Sequence, residues 1–159
     1  MTDYQTLPAS TRVWIYQSSR PFRETEIPEL KENVDRFAQS WISHNHQLKA
    51  HGDVLHNRFI VLMVDESQAG ASGCSIDKSV YFMKQIEQAY GVDLFDRMTF
   101  AWMEGEEVKS ANSADFAALF QQGKITGNTL VFDNLVKTKG ELEENWLKPL
   151  NESWHKRFI

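Results

Sequence analysis

The run Phe59-Ile-Val-Leu-Met-Val-Asp65-Glu66 is followed by a loop of small and polar residues, Gly70-Ala-Ser-Gly-Cys-Ser-Ile-Asp-Lys-Ser79. An unbroken apolar run of this kind predicts a strand that is central in its sheet and covered on at least one face. The loop then leads into a helix, because Ser75 or Asp77 can cap a first helical turn. The sequence therefore predicts a junction of strand, loop and helix between residues 59 and 79.

Two elements are expected before this junction. Residues 12–17, Arg-Val-Trp-Ile-Tyr-Gln, are β-branched and aromatic, which favours a first strand. Apolar residues then recur at three- and four-residue steps, which predicts a helix from about Glu26 to Ser43 with Pro28 in its first turn. The apolar face of this helix comprises Ile27, Leu30, Val34, Phe37, Ala38, Trp41 and Ile42.

Shorter patterns complete the chain. Gln47–Leu55 is a weaker segment that precedes the central strand, and His56-Asn57-Arg58 between them predicts a tight turn. The second helix is expected to end at Gly91. The elements expected after it are a strand at Met98–Met103, a turn at Gly105, a helix at Ala114–Gln122 capped by Asn112 or Ser113, a strand at Thr129–Phe132 and a helix that begins at Thr138.

The order of the first six elements indicates the fold class. Strand, helix, strand, strand, helix, strand is the order of a ferredoxin-like unit, in which two helices cover one face of an antiparallel sheet. We therefore expect an α+β fold with a mainly antiparallel sheet, a ferredoxin-like βαββαβ unit and a C-terminal α/β extension. The later elements can extend the sheet or cover its open face. Residues 1–159 are expected to form a single globular domain, because no repeat or Pro/Gly-rich linker divides them.

Composition narrows the class of protein. The 159 residues are 42% hydrophobic and 25% charged, as in ordinary soluble domains, and the single cysteine fits a reducing compartment. The first residues lack the basic-then-apolar order of an export signal, and no apolar run approaches the ~20 residues of a membrane helix. We therefore expect a cytoplasmic protein. A net charge of −5 argues against broad attraction to nucleic acid or anionic lipid.

The predicted helix start is the candidate binding site. The first N–H groups of a helix lack internal partners and carry the positive end of its dipole, so they favour an anion or a thiolate. The expected ligand-binding residues are Gly73, Ser75, Lys78 and Ser79, with Lys78 as the charge partner. The leading hypothesis is a noncatalytic module that binds a small anionic ligand or a protein partner there, without a cofactor. The glycines and serines also have a structural interpretation as turn and cap residues.

A thiol-dependent enzyme is the alternative hypothesis. Cys74 precedes a helix start, and this position beside Lys78 would favour its thiolate form and so its role as a nucleophile. A base could come from the histidines that cluster upstream at His44, His46, His51 and His56. The structural interpretation is that Cys74 is a small buried residue at the junction of strand and helix.

ATP binding is the third hypothesis. The pair Lys78-Ser79 after an apolar strand is typical of a phosphate-binding P-loop, and Asp65-Glu66 resembles the acidic end of a Walker B strand. A P-loop requires glycine where this chain has Ser72 and Asp77, and Asp77 would bring a negative charge to the phosphates. The P-loop is therefore incomplete.

Two further binding classes have weak support. The upstream histidines lack the spacing of a helical zinc site, so no metal site is predicted and surface or turn positions are favoured. Arg20-Pro-Phe-Arg23 and Ser153-Trp-His-Lys-Arg-Phe158 combine aromatic and basic residues, as single-stranded nucleic-acid sites do. Four glutamates lie close to the second segment, and its Trp154 and Phe158 are expected to anchor the C-terminal tail to the domain.

A family resemblance covers nearly the whole chain. The segments that carry it are Val64-Asp-Glu, Gly70-Ala-Ser-Gly-Cys-Ser-Ile-Asp-Lys-Ser-Val80, Phe132-Asp-Asn-Leu-Val136 and Ser153-Trp-His155. With these segments the chain resembles an uncharacterised family of small cytoplasmic Bacteroidetes proteins, whose members often carry the label "ABC transporter ATPase". The chain has neither an intact P-loop nor the Leu-Ser-Gly-Gly-Gln signature of such ATPases. The resemblance therefore implies kinship and a cytoplasmic location, and it implies no active-site residues.

Overall fold

The apolar run forms the middle strand of a three-stranded antiparallel sheet. In the computed structural model, which describes residues 3–159, β5 (Phe59–Asp65) lies between β1 (Arg12–Gln17) and β4 (Lys49–Leu55). The predicted central position of this strand is confirmed. All seven residues of β5 are buried, because both faces of the strand are covered.

Alternating side chains of β5 enter two different cores. Ile60, Leu62 and Val64 pack with residues of α1 (Ile27–Ser40) and α2 (Gly73–Tyr90). Phe59, Val61 and Met63 point the other way and pack against a second sheet. Side chains of a strand alternate between its faces, so one continuous apolar segment supplies both cores.

The second sheet is antiparallel and contains the C-terminal half of the chain. Its order is β7 (Glu107–Asn112), β6 (Thr99–Glu104), β8 (Leu130–Phe132) and β9 (Leu147–Pro149). Its outer face packs against α3 (Ser113–Gln121) and the C-terminal 3-10 helix Trp154–Phe158. The α+β class is confirmed, and the layers run helix, sheet, sheet, helix.

The order of elements along the chain is that of a ferredoxin-like unit, but β6 does not join the sheet of β1, β4 and β5. The order β1, β5, β4 is that of the first three strands of such a unit, in which the fourth strand pairs with β1. Instead, β6 pairs with β7 and β8 in the second sheet. Its side chains explain this placement, because Phe100 and Trp102 are buried on one face and Ala101 on the other.

The first helix ends earlier than predicted. It begins at Ile27 with Pro28 in the first turn, as expected, but its last residue is Ser40. Trp41 is extended and buried, and Ile42 is exposed in the short strand β2 (Ile42–Ser43), which pairs with β3 (His46–Gln47). The predicted helix was too long because Trp41 follows Phe37 and Ala38 at the four- and three-residue steps of the apolar face. Trp41 is buried, but its backbone is no longer helical.

Local turn and cap signals were mostly reliable. His56 and Asn57 have positive φ angles, as the turn before β5 requires, and Gly91 ends α2 with a φ of 64°. Asn112 caps α3, and Thr138 accepts a hydrogen bond from the N–H of Glu141 at the start of α4 (Lys139–Asn145). Across residues 3–159, no helix combines the length and apolar character needed to cross a membrane.

Candidate functional site

Helix α2 begins with a reciprocal pair of cap hydrogen bonds. The Oγ of Ser72 accepts from the N–H of Ser75 at 3.2 Å, and the Oγ of Ser75 accepts from the N–H of Ser72 at 2.7 Å. The N-cap is therefore Ser72, and the expected cap at Ser75 or Asp77 is wrong. The backbone of Ser72 is extended, as is usual at an N-cap. Ser75 follows three residues later, which is the spacing of a capping box.

The hydroxyl groups of Ser75 and Ser79 form hydrogen bonds with the backbone at the start of α2. Both residues are buried. The Oγ of Ser75 donates to the carbonyl of Ser72 at 2.8 Å, and the Oγ of Ser79 donates to the carbonyl of Ile76 at 2.6 Å. We therefore correct the candidate set: of the four expected ligand-binding residues, only Gly73 and Lys78 keep groups that a ligand can reach.

Gly73, Cys74 and Lys78 remain open at the helix start. All three are exposed, and within residues 3–159 the N–H groups of Gly73 and Cys74 have no hydrogen-bond acceptor. Lys78 has no carboxylate within 4.0 Å in the described part of the chain. Two N–H groups at the positive end of a helix dipole and one free ammonium group therefore come from the first two turns of α2.

Cys74 and Lys78 line a groove between α1 and α2, and Gly73 adjoins Cys74. The groove has a volume of about 430 Å³ and is lined by Phe37, Ser40, Trp41, Cys74, Asp77, Lys78, Tyr81, Phe82 and Gln85. The rings of Phe37 and Phe82 stack with centroids 4.5 Å apart. The groove is therefore apolar over most of its lining, and its charged groups come from the first turns of α2.

Cys74 is exposed, so the interpretation of a buried thiol is wrong. The structural setting of a nucleophile is incomplete, however, because none of the histidines among residues 3–159 lines the groove. His56, for example, packs against Phe132 and Trp146 at the edge of the other core, where partial burial of its ring lowers its pKa. Among the described residues, the lining of this groove therefore supplies no histidine as a base for the thiol.

The acid at the end of β5 is already engaged. Asp65 accepts a hydrogen bond from the N–H of Ser67 at 3.0 Å and pairs with Lys49 at 3.6 Å. These contacts, with Ser67 as the larger cause, lower the pKa of Asp65. Within residues 3–159, no three His, Cys, Asp or Glu side chains form a group that could hold a metal ion.

Asp133 is the centre of a polar network that no sequence pattern predicted. The carboxylate accepts hydrogen bonds from the Nζ of Lys148 at 2.7 Å, the Nε1 of Trp154 at 2.9 Å and the N–H of Leu135 at 3.0 Å. Burial alone would raise the pKa of Asp133, but the hydrogen bonds from Lys148 and Trp154 outweigh burial and lower it. Only one aromatic residue, Phe132, adjoins this acid in the sequence, so the local pattern gave no signal for the network.

A second chain of side-chain bonds joins the two sheets. Trp146 donates to Asn134 at 2.9 Å, and Asn134 donates to Gln17 at 2.9 Å. Gln17 then donates to the carbonyl of Thr99 at 3.0 Å. This chain spans from β1 to β6 and ties the C-terminal elements to the first sheet.

His155 is buried next to Trp154 of the Asp133 network. It is 2% exposed, and its Nδ1 lies 2.6 Å from the Oγ of Ser153. Burial lowers the pKa of His155 to about 4. Trp154 and Phe158 pack on Phe100, as expected for a tail anchored to the domain. The aromatic-basic segment therefore serves packing, and its aromatic rings are not free to stack on bases.

Acidification is expected to destabilise the protein through His155. Because the pKa is about 4 in the folded state against 6.5 for the free side chain, the unfolded chain binds a proton that the folded chain does not. The penalty begins as the pH falls below 6.5 and is complete near pH 4. It amounts to about 2 kcal/mol between pH 7 and pH 5.

Urea unfolding at both pH values measures this penalty. The His155→Gln variant should lose about 2 kcal/mol less than the parent on going from pH 7 to pH 5. His46→Gln is the control, because His46 is exposed in β3 and its substitution should leave the parent's pH dependence unchanged. Equal pH dependence of the parent and the His155→Gln variant would contradict the assignment.

Comparisons with protein families, curated proteins and solved structures find no match for this chain. The function is therefore argued from the residues of the chain. The groove at the start of α2 is open and has unpaired donors beside it, whereas the Asp133 network is internally satisfied.

Proposed function

We propose that the protein is a noncatalytic binding module that holds a small amphipathic anion in the groove between α1 and α2. The observation that supports this proposal is that Cys74 and Lys78 line the apolar groove, and that within residues 3–159 the N–H groups of Cys74 and the adjoining Gly73 have no acceptor. The ligand class is an apolar body that carries a single carboxylate.

The anionic end of the ligand is placed by the first turn of α2. The N–H groups of Gly73 and Cys74 can donate to one carboxylate, and the exposed ammonium group of Lys78 adds the opposite charge. Asp77 lines the same groove. Its negative charge disfavours ligands with several charges, so a monocarboxylate fits better than ATP.

The apolar end of the ligand is placed by aromatic side chains. Phe37, Trp41 and Phe82 line the groove, and Tyr81 is 67% exposed beside them. A second groove of about 360 Å³ shares Phe37 and Phe82 and extends the surface along both helices. A ring or short alkyl chain can therefore lie along the helices while its carboxylate reaches the start of α2.

We also infer that the protein acts in the cytoplasm, since its exposed thiol fits a reducing compartment. The resemblance to the Bacteroidetes family remains a proposal of kinship. It adds no activity to the binding role.

The test uses 4-phenylbutyrate as the probe, with 4-phenylbutanol and ATP as comparisons. We expect 4-phenylbutyrate to bind more tightly than the neutral alcohol, as measured by calorimetry and by amide shifts at Gly73 and Cys74. Lys78→Gln should weaken binding of the carboxylate about fivefold, the upper end for one exposed ion pair. Lys124→Gln, an exposed change elsewhere on the surface, should have no effect.

Two outcomes would overturn the proposal. Equal affinity for the carboxylate and the alcohol would leave an apolar groove without an anion site. The second outcome is that none of the three probes binds and that calorimetry and amide shifts do not distinguish Phe82→Ala from the parent. This result would show that the groove holds no ligand of this class.

A further inference from the structure

The outer edge of β1 is only partly paired. The N–H of Val13 donates to the carbonyl of Lys137 at 2.9 Å, and Arg12 forms an isolated bridge with Thr138. Because backbone groups alternate along an antiparallel strand, the N–H and C=O of Ile15 point to the same outer side as those of Val13. Among the residues that the structure describes, neither group of Ile15 has a hydrogen-bond partner. This edge is therefore open at Ile15.

A basic groove runs along the open edge. Its volume is about 290 Å³, and its lining consists of Arg12–Tyr16, Arg97 and Asn134–Lys137. It contains three cationic side chains, those of Arg12, Arg97 and Lys137, and no carboxylate. Arg97 and Lys137 have no carboxylate within 4.0 Å in residues 3–159, and Arg12 lies 3.9 Å from Glu66.

Apolar surface accompanies these charges. Leu135 is 51% exposed and lines the groove together with Ile15 and Trp14. An extended chain that pairs with a strand edge places alternate side chains on opposite faces. A segment with alternating acidic and apolar residues would therefore match both the cations and the exposed leucine.

We propose that this groove docks an acidic segment of a partner protein in extended conformation, paired through the backbone of Ile15. Main-chain bonds at a sheet edge give affinity, and the side chains give specificity. The charges decide between possible occupants. A second copy of this chain would bring its own Arg12, Arg97 and Lys137 against the same three cations. Nucleic acid is disfavoured by the net charge of −5.

The probe is a fluorescent peptide, acetyl-Val-Glu-Val-Glu-Val-Glu-amide, with acetyl-Val-Lys-Val-Lys-Val-Lys-amide as the charge-reversed control. Anisotropy should show binding of the acidic peptide alone, with an affinity that falls as salt rises. Arg97→Gln and Lys137→Gln should each weaken binding about fivefold. Lys124→Gln changes the net charge equally and should have no effect, and neither should Lys78→Gln, which separates this surface from the helix groove.

Backbone pairing has its own readout. Two further peptides carry N-methyl groups on all glutamates or on all valines, and one of the two should fail to bind, because only one set of N–H groups faces the sheet. At about ten times the dissociation constant, hydrogen exchange at the Ile15 amide should slow about tenfold.

Each of the other outcomes would overturn the proposal. Absence of binding, equal binding of both N-methylated peptides, or unchanged exchange at Ile15 would exclude strand addition. Protection of Ile15 that grows with protein concentration and without peptide would assign the edge to a second copy. Tighter binding of a single-stranded RNA oligonucleotide than of the acidic peptide would assign it to nucleic acid.

Discussion

Replacing Phe59 by alanine is expected to lower the free energy of unfolding by about 4 kcal/mol, the usual cost of removing a fully buried phenylalanine. Phe59 is 0% exposed and lies where the two sheets meet. Its ring centroid is 4.7 Å from that of Phe132 and 4.9 Å from that of Trp146. The truncation therefore removes contacts to the second sheet and leaves a cavity between the layers.

Urea unfolding with matched variants measures this loss. Phe59→Leu keeps most of the apolar volume and should cost about 1.5 kcal/mol. Tyr81→Ala removes an exposed aromatic ring and should change stability by less than about 0.5 kcal/mol. A loss at Phe59→Ala as small as that at Tyr81→Ala would mean that the sheets do not pack across this residue.

The elements that the sequence predicted are those set by local chemistry. β5, the start of α1, the turn at His56-Asn57 and the cap at Thr138 each follow from a pattern within a few residues. The position of β6 in the second sheet does not follow from a local pattern. Its pairing depends on which sheet buries both of its faces, and that depends on elements distant in sequence such as β8.

The candidate site was predicted in part, for the same reason. The helix start and its exposed groups at Gly73 and Lys78 follow from the loop composition. The cap at Ser72 was missed because three serines stand close together, and only the backbone geometry selects one. The Asp133 network was missed because it joins residues from separate segments, including Lys148 and Trp154.

The buried side chain of Arg58 provides another bridge between the two sheets. Arg58 follows the turn before β5 and is 4% exposed. Its Nε donates to the carbonyl of Ser18 at 3.0 Å, and its Nη2 donates to the carbonyl of Ser19 at 3.1 Å and the Oγ of Ser110 at 2.6 Å. Burial lowers the pKa of Arg58, but a guanidinium group stays charged in proteins. These three bonds therefore hold an ion in the protein interior with neutral acceptors alone.

Replacing Arg58 by methionine is expected to lower the free energy of unfolding by about 3 kcal/mol. Methionine retains most of the stem volume, but the buried carbonyl of Ser18 and the part-buried acceptors on Ser19 and Ser110 lose their donor, and a buried unpaired group costs about 1–3 kcal/mol. Part of this loss is offset because the guanidinium no longer has to leave water. Ser110→Ala removes only the hydroxyl acceptor and should cost about 1 kcal/mol. Urea unfolding that finds Arg58→Met as stable as the parent would mean that desolvation of the guanidinium outweighs the three bonds, and that Arg58 does not stabilise the contact between the sheets.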